Sequence, residues 1–328
     1  MQLWPDIFSR FNNLKVLIIG DVMVDSYIWG VVERISPEAP VPIINVVKRD
    51  FRLGGAANVA LNIMALGAEP ILCSLIGKDD SGKKLLHLLD EKGMSVKGIV
   101  SSSHRPTTVK ARVIAAQQHV VRIDEESDTL ATSQEEDELL TRIKSLLSDC
   151  HVVIFEDYDK GVITHRIIME VVKMSREKGI PTVVDPKKRN FLHYQNVTLF
   201  KPNLKELKEG LKIDIDAKNQ SSVNHAVDLV KKRLNVNGVM LTLSEHGVFI
   251  DYQDKTLKIP AHKRAIADVS GAGDTVISIA ALCIALNLSP DNVAGLSNLG
   301  GGLVCQHVGV VPIDREELLK EATAKIRD

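Results

Sequence analysis

The sequence predicts an α/β fold: a three-layer arrangement with a mostly parallel central sheet covered by helices on both faces, plus a small β-sheet lid. Three observations predict it. Short β-branched runs alternate with segments of helical periodicity, the pattern of a parallel sheet with helices on its faces. The strand-like runs are continuously apolar, as strands buried on both sides are. Two further stretches, 27–52 and about 105–124, break the alternation with extended segments in which polar and apolar residues take turns.

In chain order the strands are Lys15 to Ile19, Ile71 to Leu75, Val152 to Phe155, Thr182 to Val184, Leu199 to Lys201 and Val239 to Thr242. Between them Asn58 to Leu66, Gly82 to Lys92, Gln134 to Leu147, His165 to Lys178, Asn203 to Glu209 and Val223 to Arg233 carry apolar residues at helical spacing. From Thr275 onward the pattern is helical almost to the end, with Asp314 capping the last helix and Glu317 completing a capping box. The lid comes from segments such as Lys110-Ala111-Arg112-Val113-Ile114 and Val120-Val121-Arg122-Ile123-Asp124. The proline-rich Ser36 to Pro42 lacks the N–H groups of a central strand and belongs to an edge or an exposed connection. With no internal repeat or low-complexity linker, residues 1–328 are expected to form one unit.

Composition narrows the function classes. With 41 basic and 42 acidic residues the net charge is −1, which gives no field for nucleic acid or an anionic membrane, so any basic site is local. No run approaches the ~18 apolar residues of a membrane span. Met1 to Asp6 has neither the basic head nor the apolar core of a secretory signal, and a cytoplasmic protein is expected. Cys73, Cys150, Cys283 and Cys305 lie far apart without C-x-x-C spacing, as buried, reduced thiols do. The ten histidines form no ligand pair, so a transition-metal site is not expected.

The most informative stretch is Asp268-Val269-Ser270-Gly271-Ala272-Gly273-Asp274, which runs into the apolar helix Thr275 to Leu282. Glycines at a helix mouth present bare N–H groups where the dipole favours an anion, a cradle suited to phosphate. Asp274 at its edge is placed to take a proton from an attacking hydroxyl, so the pattern points to phosphoryl transfer to an alcohol. The plainer reading is an acidic first-turn residue after a tight glycine turn.

Ligands of open parallel sheets bind beyond the carboxyl ends of strands, and polar residues there are candidates. Asp21 and Asp25 follow the first strand and suit sugar hydroxyls, or simple capping; Gly54 and Gly55 ahead of Asn58 permit close approach, or mark an ordinary helix entry. Asp157 and Lys160 follow another strand, and Asp185-Pro186-Lys187 the next. Lys187 suits a phosphate or belongs to a solvated loop run. Asn203 and Glu206 share a helix face, as an outer-sphere magnesium or phosphate-positioning pair or as an N-cap with its capping-box Glu. Thr242, Ser244 and Gly247 form a small polar turn suited to a nucleotide. Asn298 and Gly300-Gly301-Gly302 interrupt a late helix, which fits a flat adenine beside it or close helix packing.

Asp268 to Asp274, Gly54-Gly55-Ala56-Ala57-Asn58 and Asn203-x-x-Glu206 lie in an order that resembles the ribokinase (PfkB) carbohydrate kinases, over essentially the whole chain. Within that family Gly20-Asp21-Val22-Met23-Val24-Asp25, Arg34 to Pro42 and Arg52 to Ala60 look like the D-glycero-β-D-manno-heptose 7-phosphate kinases. The resemblance implies ATP-dependent phosphorylation of the anomeric hydroxyl to heptose 1,7-bisphosphate, toward ADP-heptose for the lipopolysaccharide core. Asp274 is then the base, and Gly271, Ala272 and Gly273 the anion hole. Asp21, Asp25, Gly54, Gly55, Asn58 and Asp157 face the sugar, and Lys110, Arg112 and Gln118 reach from the lid toward its phosphate.

By the same resemblance Lys187, Asn203, Glu206, Thr242, Ser244, Gly247 and Asn298 would serve ATP, with Glu206 in the outer shell of Mg2+, and potassium (K+) would be allowed near Asp268 and Ser270. A dianionic sugar phosphate needs cations of its own, and Lys110 and Arg112 share one strand face. The chain ends at Asp328 without the H-x-G-H nucleotidyltransferase turn to which many such kinases are fused, so a stand-alone kinase or an excised domain is expected. Glu156 and Asp159 are more acidic than that group leads one to expect. Free edges on the lid sheet predict a homodimer formed through it. The competing readings are a fructose, ribose or nucleoside kinase on the same fold, and a non-catalytic sugar-binding protein.

Overall fold

The computed structural model describes residues 4–116 and 118–326; the two ends of the expected 1–328 unit lie outside them. The expected parallel strands form as β1 (Lys15–Gly20), β4 (Glu69–Gly77), β8 (Val152–Glu156), β9 (Thr182–Asp185), β10 (Leu199–Phe200) and β11 (Gly238–Thr242). Three strands join them that the sequence reading passed over: β5 (Gly98–Ser102), β12 (Val248–Tyr252) and β13 (Lys255–Ile259). The nine-stranded sheet has the order β13-β12-β11-β10-β9-β8-β1-β4-β5, parallel except at β12 and β13.

The alternating side chains of the inner strands feed two cores. Val16 and Ile18 of β1 point into one, with α1 (Trp4–Phe11), α2 (Ala56–Ala65), α3 (Asp80–Glu91), α8 (Ala272–Ala285), α9 (Pro290–Val304) and α10 (Arg315–Lys325). Leu17 and Ile19 point into the other, with α4 (Ser133–Leu147), α5 (His165–Glu177), α6 (Leu204–Leu211) and α7 (Gln220–Leu234). Helix α1 escaped the sequence reading. Asp314 does cap α10 by accepting the Glu317 N–H at 2.9 Å, but no return bond from the Glu317 side chain forms, so the expected capping box is only half made.

The second sheet is longer than the expected segments. Its strands are β2 (Val22–Ile35), β3 (Pro42–Gly55), β6 (Thr108–Ala115) and β7 (Gln118–Glu125), in the order β3-β2-β6-β7. β2 begins two residues after β1 ends, so the small sheet springs from the carboxyl end of the large one. Ser36 to Val41 form the exposed turn between β2 and β3, as their prolines require. All four cysteines are buried and free, and no helix among the described residues is long and apolar enough to cross a membrane.

Candidate active site

Helix α8 opens on Gly271, which takes the left-handed conformation at φ +80° that a side chain would resist. A Cβ on Gly271 would stand 3.2 Å from Asn58 Nδ2, and one on Gly273 3.5 Å from Asp185 Oδ2. The two glycines thus let α8 enter between α2 and the end of β9. Of the backbone donors there, the Ala272 N–H is already accepted by Val269 O at 3.3 Å. Asp274 lies in the first turn, 5% exposed. Its Oδ2 accepts from Asn58 Nδ2 at 2.6 Å and its Oδ1 from the Tyr158 hydroxyl at 2.8 Å. Burial lifts this carboxyl above its ordinary value, against the pull of those two donors, and nearby Asp185 adds to the lift.

Charged residues gather beside it at the carboxyl ends of β8, β9 and β10. Glu156 is the last residue of β8 and pairs in register with Asp185, the last of β9. Lys201, following β10 and fully buried, holds Asp185 Oδ2 at 2.8 Å. Lys187 bridges Asp185, at 3.5 Å, and Glu206. Glu156 Oε2 and Asp185 Oδ1 are buried acceptors without a hydrogen-bond partner. Burial, with Asp185 and Asp274 close by, drives the Glu156 carboxyl well up. Asn203 and Glu206 make a full capping box at 2.9 and 2.8 Å, and the other Glu206 oxygen meets Lys187. Both Glu206 oxygens are therefore in use within the protein, whereas Glu156 Oε2 has no partner and Asp185 Oδ1 has only the Lys187 ammonium at 3.5 Å.

The small sheet turns one charged face inward. Its rungs read Arg52, Asp25, Lys110, Asp124 and then Asp50, Tyr27, Arg112, Arg122. Asp25, buried, pairs with Arg112, whose guanidinium also lies 5.3 Å from the Tyr27 ring centre. A Cβ on Gly54 would stand 2.3 Å from Asp25 Oδ2, so that glycine makes room for the carboxylate. The Arg52 guanidinium also lies over Tyr27, at 4.7 Å, and reaches Val310 O at 3.3 Å, beside Gly271. Asp25, Arg112, Tyr27 and Arg52 thus form one run of side-chain contacts, and Asn58 and Asp274 another, with Val310 and Gly271 between them.

Residues 13–316 match the pfkB family of carbohydrate kinases. The chain belongs to that family. It is 37% identical over 316 residues to the bifunctional protein HldE of Geotalea uraniireducens, covering 96% of this chain and 64% of that one. It is 39% identical to HldE of Wolinella succinogenes over 303 residues, 92% of this chain and 63% of the relative. The chain thus spans a little under two thirds of these relatives' length. Its fold is similar to that of Escherichia coli phosphofructokinase-2 crystallised with potassium, at TM-score 0.79, 17% identity and 95% and 98% coverage of the two chains. It is likewise similar to Arabidopsis thaliana ribokinase bound to ribose and ATP, at TM-score 0.70, 18% identity and 94% and 98% coverage. As a pfkB carbohydrate kinase the chain is a phosphotransferase acting on a sugar hydroxyl.

Several expected ligands of this pfkB chain are occupied with building it. Asp21 accepts the N–H groups of Tyr158, Lys160 and Val162 at 2.9, 3.1 and 3.0 Å, and shapes the loop after β8 instead of presenting a free carboxylate. Gly55, at φ +60°, turns the chain past Asp21 O into α2. Asp157 is buried and accepts from Tyr194 OH and Asn190 Nδ2 at 2.7 and 3.0 Å. Burial and neighbouring Asp21 push its carboxyl up to about 6.

Lys110 is engaged by Glu126 at 2.8 Å and Asp124 at 3.3 Å, and Gln118 sits exposed at the far end of the β6–β7 hairpin, past Arg112. Thr242 donates its N–H to Pro202 O at 3.1 Å, and Ser244 opens a short 3-10 turn. A Cβ on Gly247 would lie 2.0 Å from Ile259 O, so its freedom serves the β11–β12 turn. Asn298 donates to Pro260 O at 2.8 Å. Cβ atoms on Gly300 and Gly301 would meet Ile279 Cδ1 at 2.1 Å and Val276 Cγ2 at 2.7 Å, so these glycines pack α9 on α8 and do not face an adenine.

The sequence reading missed Tyr158, Glu156 and Lys201 as members of the site, and Tyr27, Arg52 and Arg122 on the small sheet. For Glu156 and Lys201 a signal existed: each is the charged residue that ends an apolar run at a strand's carboxyl end.

Proposed function

We propose that this chain transfers the γ-phosphoryl group of ATP to the anomeric hydroxyl of D-glycero-D-manno-heptose 7-phosphate, giving heptose 1,7-bisphosphate in the route to ADP-heptose. The observation that carries the phosphoryl-transfer reading is Asp274, buried at the glycine mouth of α8 and held by Asn58 and Tyr158. The heptose rests on the Asp21-to-Asp25, Arg34-to-Pro42 and Arg52-to-Ala60 segments and on the HldE relatives. Arg52, Lys110, Arg112 and Arg122 on the small sheet's charged face favour an anionic acceptor over a neutral one.

In this reading Asp274 takes the proton of the C1 hydroxyl as that oxygen attacks phosphorus, the bond to the β–γ bridging oxygen breaks, and ADP leaves. The free N–H groups of the α8 mouth receive the developing charge on the transferred phosphoryl oxygens. Lys187 and Lys201 add positive charge beside Gly273. Magnesium would be held by Glu156 and Asp185, whose carboxylate oxygens are hard donors, Glu156 Oε2 without another partner. When bound it offsets phosphate charge. Thr242, Ser244 and Gly247 line the nucleotide end at β11. Potassium would stand by Asp268, whose carboxylate accepts from Ser270 N and Oγ and from Gly309 N.

The small sheet serves as a lid within a single kinase unit, and its outer face, with Val121 and Ile123 exposed, joins two copies. We place the protein in the cytoplasm, where ATP is available. ATP consumption against sugars and sugar 5-, 6- and 7-phosphates tests the reading: heptose 7-phosphate is expected to be the preferred acceptor, and turnover with neutral sugars alone would remove it.

A further inference from the structure

Where the small sheet meets the loop after β8, one carboxylate bridges two ammonium groups. Glu126 Oε2 lies 2.8 Å from Lys110 Nζ on β6, and Glu126 Oε1 lies 2.7 Å from Lys160 Nζ. The side chains of Lys110 and Lys160 are only 12% and 17% exposed, so each needs a counter-charge here. Asp124 also touches Lys110, at 3.3 Å, but Arg122 grips it through two bonds of 2.8 and 2.7 Å, so it has a cation of its own. Glu126 has no such second tie: its side chain bonds Lys110 and Lys160 and nothing else among the described residues. It is also the first residue past β7, in a stretch, 126–132, that belongs to no helix or strand, so it can swing aside without breaking a ladder.

We propose that Lys110 and Lys160 form the seat of the acceptor's phosphate monoester, and that Glu126 occupies this seat as an internal substitute which the incoming dianion displaces. This rests on the reading that the acceptor is a phosphorylated sugar. A carboxylate and a phosphate both offer two oxygens to two donors, but the phosphate brings a second negative charge and a third oxygen, so it pairs the two ammoniums more completely. The two lysines come from different bodies: Lys110 from the small sheet, and Lys160 from a loop of the large sheet whose N–H is pinned to Asp21 Oδ2 at 3.1 Å. An anion between them, Glu126 or the phosphate that replaces it, ties the small sheet to the large one. A neutral sugar cannot displace Glu126, and the exchange therefore selects for the phosphate.

Steady-state kinetics on the whole chain, with heptose 7-phosphate, its unphosphorylated counterpart and inorganic phosphate as a competing probe, tests this. Glu126→Gln should lower KM for the phosphorylated sugar severalfold and strengthen inhibition by inorganic phosphate. Lys160→Met and Lys110→Met should each raise that KM by about tenfold, the ~1.4 kcal/mol of a lost charge-assisted bond, with KM for ATP within about twofold. An unchanged or raised KM in Glu126→Gln would overturn the displacement even if the lysine variants fail to fold. A wild-type protein that prefers the neutral sugar would overturn this inference together with the acceptor assignment; a preference for the phosphorylated sugar with no response to Glu126→Gln would overturn this inference alone.

Discussion

Both Asp274 oxygens already accept a bond from a neutral donor, so the carboxylate is aimed before substrate arrives. Replacing Asp274 with Asn should lower kcat by roughly 10²–10⁴-fold, the range of a positioned general base, with KM for ATP little altered. Since burial lifts this carboxyl, the ionised base is present above its raised pKa and lost as pH falls through it, so the acid limb of kcat should lie above the ordinary carboxylate range. Tyr158→Phe removes a bond that favours the charged form, and should lower kcat and move that limb further up, as a pH–rate profile would read. Asp157 gives a separate check. Its folded-state value of about 6 exceeds the ordinary 3.8, so its contribution to stability is full below about 4 and is lost as pH rises to about 6. Carbon NMR of its carboxyl should show a titration near 6; a midpoint near 4 would contradict the buried geometry.

At the scale of elements, α8 is the piece on which the site depends, because it fits between α2, α9 and the ends of β8 and β9. Gly300 admits Ile279 of α8, so Gly300→Ala should cost about 1–3 kcal/mol and lower the melting temperature by several degrees. Lys201→Met would leave Asp185 buried without its close cation, a loss on the order of 3–5 kcal/mol in urea unfolding. The parallel strands and their helices were legible because continuous apolar runs and 3.6-residue spacing each admit one arrangement here. β12 and β13, an antiparallel edge, and the short helix α1 carry weaker patterns that the chain alone does not separate from loops. The mouth of α8 was legible from its glycines, whereas Tyr158 and Glu156 were not chosen: their partners lie 116 residues away at Asp274 for one and 29 at Asp185 for the other, contacts only the fold creates. For Asp21 and Asp157 the sequence leaves the role open for a related reason: a carboxylate after a strand looks the same whether it faces a ligand or holds its own loop.

The whole molecule consists of a large sheet that supplies the phosphoryl-transfer charges and a small sheet with one charged and one apolar face. That apolar face packs on the main core at Val24, Leu53 and Phe51, and is left open farther out at Val121 and Ile123, both near half exposed. Sedimentation at micromolar concentration should show a dimer, and Ile123→Lys should shift it to monomer; a wild-type monomer would remove the dimer. The central claim, anomeric phosphorylation with Asp274 as base, is met most directly by phosphorus NMR of the product formed from ATP and heptose 7-phosphate by wild type and by Asp274→Asn. A new anomeric phosphate signal with wild type, absent over the same period with the variant, is the predicted result. Phosphate at any other position, or equal product from the variant, would contradict it.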